Sequence, residues 1–258
     1  WGKYRPMYLN GIKNTLILAL AATAIGCFIG LLCGVLNTIP YAKNDPLPKR
    51  FLLKLLRVII RIYVEVFRGT PMVLQAVFVY YGLPYFTDNA VKFTSMWTAA
   101  ILIVSINTGA YMAEIIRGGI VSVDKGQFEA AHAIGMTHWQ TMTTVVLPQA
   151  IRNILPSVGN ELIVNIKDSS VLNVISVSEL FFQAKSAAGT YYRYFEVYFI
   201  IAVIYLILTL SVSAILRAVE KKMDGPDNYV IHGSQSDSRA DIKVSVENEK
   251  EAVKRWNA

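Results

Sequence analysis

The sequence predicts an all-α integral membrane protein of about five transmembrane helices, with a cytoplasmic amphipathic helix and a structured cytoplasmic loop between them. Three observations lead there. Of the 258 residues, 54% are hydrophobic and mean hydropathy is +0.41, while the charged fraction is only 17%. Soluble domains carry roughly 25% charged residues. The apolar residues also fall in blocks near the ~20 residues that a helix needs to cross a bilayer. The basic residues collect in the connections, as positive-inside topology requires. The net charge of +7 is therefore a membrane signature, and nucleic-acid binding is excluded as its explanation.

The first span covers residues 14–36. Gly26, Gly30 and Gly34 recur every four residues on one stripe of it, where small side chains let a neighbouring helix approach closely in lipid. Cys27 and Cys33, six residues apart, point to different faces and read as small packing residues. Residues 41–68 follow, with Arg50, Lys54, Arg57, Arg61 and Arg68 at spacings of four, three, four and seven. One face is thus basic and the other apolar, the pattern of an amphipathic helix with its charges among lipid headgroups. A second span covers 66–86, with Arg68-Gly69-Thr70-Pro71 breaking the chain near its start. A short polar connection, 87–94, leads to the third span, 97–116. A fourth covers 151–177 and a fifth 195–216. These divide the chain into an extracytoplasmic segment, 1–13, a transmembrane domain, 14–222, and a polar tail, 223–258, without sustained periodicity, which reads as disordered.

Of the 25 basic residues, seven lie in 41–68, three in 117–152 and eight in 217–258. With five spans this places the amino terminus outside and the carboxyl terminus in the cytoplasm. The aromatic residues Tyr191, Tyr192, Tyr194, Phe195, Tyr198 and Phe199 then form a belt at the outer interface.

The fourth span is unusually polar. Ser157, Glu161, Asn165 and Asp168, spaced four, four and three, make one stripe, with Asn160 and Lys167 beside it. Ionisable groups cost about 2.5–3.5 kcal/mol each in a span, so they face a cavity, a partner or each other. Two readings follow: a water-filled pathway for a polar solute, or glue between helices. Pro156 and Gly159 loosen this helix, which suits a moving element. In the third span Asn107 joins the candidate pathway residues, while Glu114 and Arg117, three apart, are placed to pair with each other.

The connection 118–149 is too long and too structured for a simple turn. Gly126-Gln127-Phe128-Glu129-Ala130-Ala131 has helical composition, Gly135 interrupts it, and Pro148 marks where the next helix begins. The orientation above puts this loop in the cytoplasm, where it offers a surface for a partner to grip. His132 and His138 lie in it without Cys or carboxylate at ligand spacing, so no metal site is expected. No GxxxxGK[ST] phosphate loop occurs, so ATP binding of that type is not expected of this chain.

Together these residues resemble the permease subunits of ATP-binding-cassette importers with the type I fold, specifically the polar amino-acid group that serves histidine, glutamine, glutamate, arginine and cystine. The permease loop pattern is Glu-Ala-Ala, three residues, Gly, nine residues, an aliphatic residue, any residue, Leu-Pro. It is met by Glu129-Ala130-Ala131, Gly135, Val145 and Leu147-Pro148, with Val145 where Ile is commoner. Arg68-Gly69-Thr70-Pro71 with Gln75, the run from Tyr111 to Ile120, Gly126-Gln127, Pro148-Gln149-Ala150, Asn160 and Lys167-Asp168-Ser169-Ser170 match the amino-acid branch. Val171 stands where that branch usually has Leu.

The resemblance implies a non-enzymatic transport subunit in a prokaryotic plasma membrane, working with a second copy or a paralogous permease. It implies two ATPase subunits that bind the ATP and magnesium, and an extracytoplasmic solute-binding protein. Gln127, Glu129, Ala130, Ala131, Gly135 and Pro148 would couple to the ATPase, and Asn107, Ser157, Asn160, Glu161, Asn165, Lys167 and Asp168 would line the translocation pathway. The alternatives are a passive channel, or an intramembrane enzyme using Glu161 or Asp168, for which no second catalytic partner stands out.

Overall fold

The computed structural model of the chain describes residues 5–39 and 46–223. The polar tail beyond residue 223 and the first four residues lie outside that range. Among the described residues all regular structure is helical: α1 (Arg5–Thr38), α2 (Leu47–Gly69), α3 (Met72–Phe86), α4 (Met96–Val121), α5 (Lys125–Ala133), α6 (Leu147–Asp168), α7 (Leu180–Tyr191) and α8 (Tyr194–Met223). Among the described residues three helices are long and apolar enough to cross a membrane: Arg5–Thr38, Met96–Val121 and Tyr194–Lys222. α3 is apolar but short, and α6 has the length but carries Glu161, Lys167 and Asp168 in its last third.

α1 packs most extensively on α4, because the glycine stripe leaves no side chain between them. A Cβ on Gly26 would stand 2.7 Å from Thr108 Cβ, and one on Gly34 would stand 2.7 Å from Ile116 Cγ2. One on Gly30 would collide with Met112. α1 starts nine residues earlier than the sequence reading has it. Tyr8, Gly11 and Thr15 explain the extension: all three are buried, and a Cβ on Gly11 would stand 2.8 Å from Leu180 Cα of α7.

The second span is broken rather than continuous. α2 stops at Gly69, Thr70 and Pro71 are extended, and α3 starts at Met72. Pro71 removes one donor and forbids helix at Thr70. The carbonyls freed at the break are taken by side-chain amides. Gln75 Nε2 donates to Phe67 O and Thr70 O, both at 2.9 Å, and Asn107 Nδ2 donates to Phe67 O at 3.2 Å. Arg57, Arg61 and Arg68 line a cleft against α4, while Phe51, Leu55, Val58 and Ile62 form the exposed apolar side.

The fourth span departs from expectation at both ends. The helical path does not start at Pro148 but runs from a short turn, His138–Gln140, through a π segment, Thr141–Val146, into α6. A second π segment, Phe78–Gly82, lies within α3. Each ends two residues before a proline, Pro148 or Pro84, and the wider turn makes room for a ring that would otherwise press on the carbonyl four residues back. At its far end the α-helix stops at Asp168 and tightens into a 3-10 segment, Ser169–Ile175, which ends at Ser176 with φ +62°. Ser169 Oγ donates to Ile166 O at 2.9 Å and Asn173 Nδ2 to Ser170 O at 2.7 Å, local bonds that compete with α-helical continuation.

α7 is an element that the sequence reading leaves out. Its N-cap is Glu179, fully buried, whose carboxylate accepts from Phe181 N at 2.8 Å, Phe182 N at 2.6 Å and Tyr205 Oη at 3.0 Å. Ala184, Ala187 and Ala188 are buried on its inner side. Of the expected aromatic belt, Tyr192 and Phe195 are exposed at 81% and 80%, whereas Tyr198 turns inward onto Phe181.

The glycine stripe yields a signed prediction. Gly30→Ala is expected to destabilise by roughly 1–3 kcal/mol, since the added methyl must displace α4. Gly118→Ala, where a Cβ would meet nothing within 4 Å, is expected to be neutral or stabilising by up to about 1 kcal/mol. Thermal unfolding of the two purified variants in detergent checks both signs.

Candidate functional site

The cytoplasmic-loop candidates form a compact helical hairpin. Asp124 caps α5, its Oδ1 accepting from Gly126 N at 2.6 Å. At the other end Met136 N donates to Ala131 O and Gly135 N to His132 O, both at 3.0 Å. That pair of bonds is a Schellman motif, and it requires a left-handed residue, supplied by Gly135 at φ +81°. The next turn opens with a capping box. Gln140 N donates to Thr137 Oγ1 at 3.3 Å, and Thr137 N donates to Gln140 Oε1 at 2.8 Å.

One side of this hairpin is fastened to the chain itself. Phe128 is half-buried against a cluster that includes Ile120, Met142 and Val146, and Ala131 is only 4% exposed. Ala131 therefore faces inward, while Gln127, Glu129 and Ala130 are exposed. Pro148 is exposed in the first turn of α6, and beside it Gln149 Nε2 approaches Gln127 Oε1 at 3.5 Å. Ile134 and Trp139, at 79% and 70% exposed, were not among the sequence candidates. The signal was present: two large apolar residues flanking Gly135 in an otherwise polar loop.

The intramembrane candidates separate into two groups. Asn165 is buried between three helices. Its Nδ2 donates to Thr23 Oγ1 of α1 at 2.8 Å, and its Oδ1 accepts from Thr108 Oγ1 of α4 at 3.1 Å. Asn107 Nδ2 donates to Gln75 Oε1 at 3.0 Å as well as to Phe67 O. These two amides are engaged within the chain. Ser157, Asn160, Glu161 and Asp168 are half-buried on α6, and among the described residues their side chains make no hydrogen bond or ion pair. Glu161 and Asp168, seven residues apart, lie on the same side of α6. Lys167 is exposed and lines a separate groove with Ser170, Tyr198 and Tyr205. Nearer the loop, Arg117 forks onto Glu114 at 3.3 and 3.2 Å, the pairing that their spacing predicts. Among the described residues no three His, Cys, Asp or Glu side chains gather in a way that could hold a metal ion.

The chain thus carries a half-buried carboxylate stripe on α6 and an exposed helical hairpin before it. Residues 47–225 match the family described as "Binding-protein-dependent transport system inner membrane component". The chain belongs to that family. It is 39% identical over 220 residues to the glutamine transport system permease protein GlnP of Escherichia coli (strain K12), a match covering 84% of this chain and 93% of GlnP. Its fold matches a solved amino acid ABC transporter chain with a TM-score of 0.75 and 40% identity, over 85% of this chain and 95% of that one. The inward-facing MetNI methionine ABC transporter matches with a TM-score of 0.66 at 20% identity, over 84% and 95%, which speaks to fold alone.

The chain is thus a membrane permease subunit of an ATP-binding-cassette importer, with the type I fold. Hydrolysis of ATP belongs to a separate subunit, and its partners as a class are that ATPase and a solute-binding protein.

The two groups of polar residues should respond oppositely to substitution. Asn165→Ala is expected to lower stability by about 0.6–1.7 kcal/mol, the range of interhelical hydrogen bonds in membranes. Glu161→Gln is expected to leave the unfolding temperature unchanged or raise it, since it removes an unpaired ionisable group. Unfolding curves of both variants in nanodiscs provide the check.

Proposed function

We propose that this chain, with a second copy of itself or a paralogous permease, forms the pathway by which a polar amino acid enters a prokaryotic cell, its amino terminus outside and its carboxyl end in the cytoplasm. The observation that carries the reading is the α6 stripe, where Glu161 and Asp168 sit half-buried and unpaired. Buried carboxylates without partners persist where water or a polar solute reaches them. Ser157 and Asn160 extend the stripe by one turn toward the cytoplasmic loop, while Asn107 and Asn165 brace the helices that hold it. The amino-acid class is supported by GlnP, a glutamine transport system permease, and by the solved amino acid transporter.

ATP and magnesium are bound by the ATPase subunits, and closure of those subunits drives alternating access through the hairpin. Glu129, Ala130, Ile134 and Trp139 form the surface that meets the ATPase, and Gly135 shapes it. A bound ATPase moves the hairpin as a rigid body, and the spans rotate with it. A passive channel would have no use for such a surface.

Gly135→Val tests the coupling. A Cβ at Gly135 meets nothing within 4 Å of its own chain, so the substitution strains the left-handed turn without creating an internal clash. The variant should insert normally yet lose most of its solute-stimulated ATP hydrolysis, by about tenfold or more, and its uptake with it. Normal ATP-driven uptake by Gly135→Val in proteoliposomes would overturn the coupling role. Uptake that persists without ATP would favour a channel.

A further inference from the structure

Between α2 and α4 lies an open cleft of about 700 Å³, on the loop-proximal side of the Glu161–Asp168 stripe. Two one-sided helix faces wall it. α2 presents Arg61, Glu65 and Arg68 at spacings of four and three, and α4 presents Tyr111, Glu114 and Arg117 at spacings of three. Arg57 also lines the cleft, so four guanidiniums stand against two carboxylates.

The two faces meet at Arg68. Its Nη1 lies 3.9 Å from Glu114 Oε2, and its guanidinium carbon sits 5.4 Å from the centre of the Tyr111 ring. Glu114 is therefore shared by two guanidiniums, those of Arg68 and Arg117. Arg61 and Glu65, one helical turn apart, are exposed and make no ion pair among the described residues.

A positive site that retains one unneutralised carboxylate a turn away fits neither a simple anion nor a simple cation. An anion alone would face Glu65, and an amine alone would face Arg61 and Arg68. A zwitterion satisfies both, its carboxylate forked by guanidinium and its ammonium held by Glu65.

The geometry points to this cleft as a second station for solute on the way to the cytoplasm, where Arg61 and Arg68 take the α-carboxylate and Glu65 the α-ammonium, so that amino acids are held and the corresponding amines are not. The inference rests on the reading of the chain as an amino-acid permease. A zwitterionic lipid headgroup offers the same pair of charges, and the experiment separates the two sources.

The purified permease–ATPase complex, without binding protein, is placed in phosphatidylcholine nanodiscs. The probes are glutamine, glutamate, arginine and histidine, each beside the amine left when its α-carboxylate is removed: 4-aminobutanamide, 4-aminobutyrate, agmatine and histamine. For at least one pair the wild-type complex should bind the amino acid about tenfold or more tightly than the amine, as expected for charge-assisted hydrogen bonds. Arg61→Gln and Arg68→Gln should each cut that ratio to about threefold or less while leaving amine affinity within about twofold, and Arg61→Lys should restore part of it.

An unchanged ratio in both glutamine variants overturns the station. So does a ratio that collapses when phosphatidylethanolamine replaces phosphatidylcholine, because the cleft then holds a headgroup. If no probe pair binds and none stimulates ATP hydrolysis by the complete complex with binding protein, the amino-acid reading fails and the station with it. If a probe stimulates hydrolysis but its ratio ignores Arg61 and Arg68, only the station fails.

Discussion

Inside a bilayer every break in the helical backbone must be satisfied from within the protein, and most of the polar architecture of this permease answers that constraint. The chain breaks at Thr70-Pro71 and again at Ser176. At Thr70-Pro71 the freed carbonyls are taken by Gln75 and Asn107. At the Ser176 break, Asn14 Nδ2 donates to Ser178 O at 2.7 Å, Thr15 Oγ1 accepts from Leu180 N at 3.2 Å, and Glu179 receives two amides and the Tyr205 hydroxyl. Each break is thus stitched to a different helix, the first to α4 and the second to α1 and α8. The stitches fix where the helices cross, so the broken spans are anchored rather than loose.

That division gives the remaining polar residues their meaning. An Asn or Gln whose amide is fully occupied has little left to offer a solute, and Asn165, between Thr23 and Thr108, is a brace on the same footing as Asn107. What is left over is the charge that no backbone needs. At the end of α4 Glu114 lies against both Arg68 and Arg117, and Glu161 and Asp168 stand on α6. Exposed ion pairs such as Arg117–Glu114 contribute only about 0–1 kcal/mol to stability. Their value lies in presenting both signs of charge along one route.

Much of this was legible in the sequence, because the strongest signals were periodic. The Gly26–Gly30–Gly34 stripe, the Glu114–Arg117 spacing and the Glu-Ala-Ala hairpin around Gly135 all depend on helical repeat and on one left-handed turn, which residue types report directly. Three features were not legible, for physical reasons. The path through Pro148 reads as a helix start, because a π turn that absorbs proline leaves no compositional mark. The 3-10 segment after Asp168 hinges on hydroxyls whose choice between backbone and solvent is tertiary. The helix α7 depends on Glu179, and a glutamate reads as surface until Tyr205, far along the chain, is known to meet it. The polar stripe was visible as a stripe, but only packing could sort Asn165 from Glu161.

The same continuity that hid the start of α6 bears on how coupling works. From His138 to Asp168 the backbone is one helical path through the π segment, so the second arm of the hairpin and the stripe are parts of a single element. The hairpin is tied to that path by Phe128 and Ala131 packing on Met142 and Val146, and to α4 by Ile120. A displacement imposed on Trp139 is therefore carried along this path as far as Pro156 and Gly159, where the helix loosens before Glu161. At Gly159 the missing side chain lets Leu216 of α8 lie where a Cβ would be 2.9 Å away. α8 is thus seated closely on α6 at the turn where that helix loosens. A continuous path from the loop, a loosened turn seated on α8 and a stripe of unpaired charge thus lie on one helix, an arrangement that suits the moving part in rigid-body alternating access.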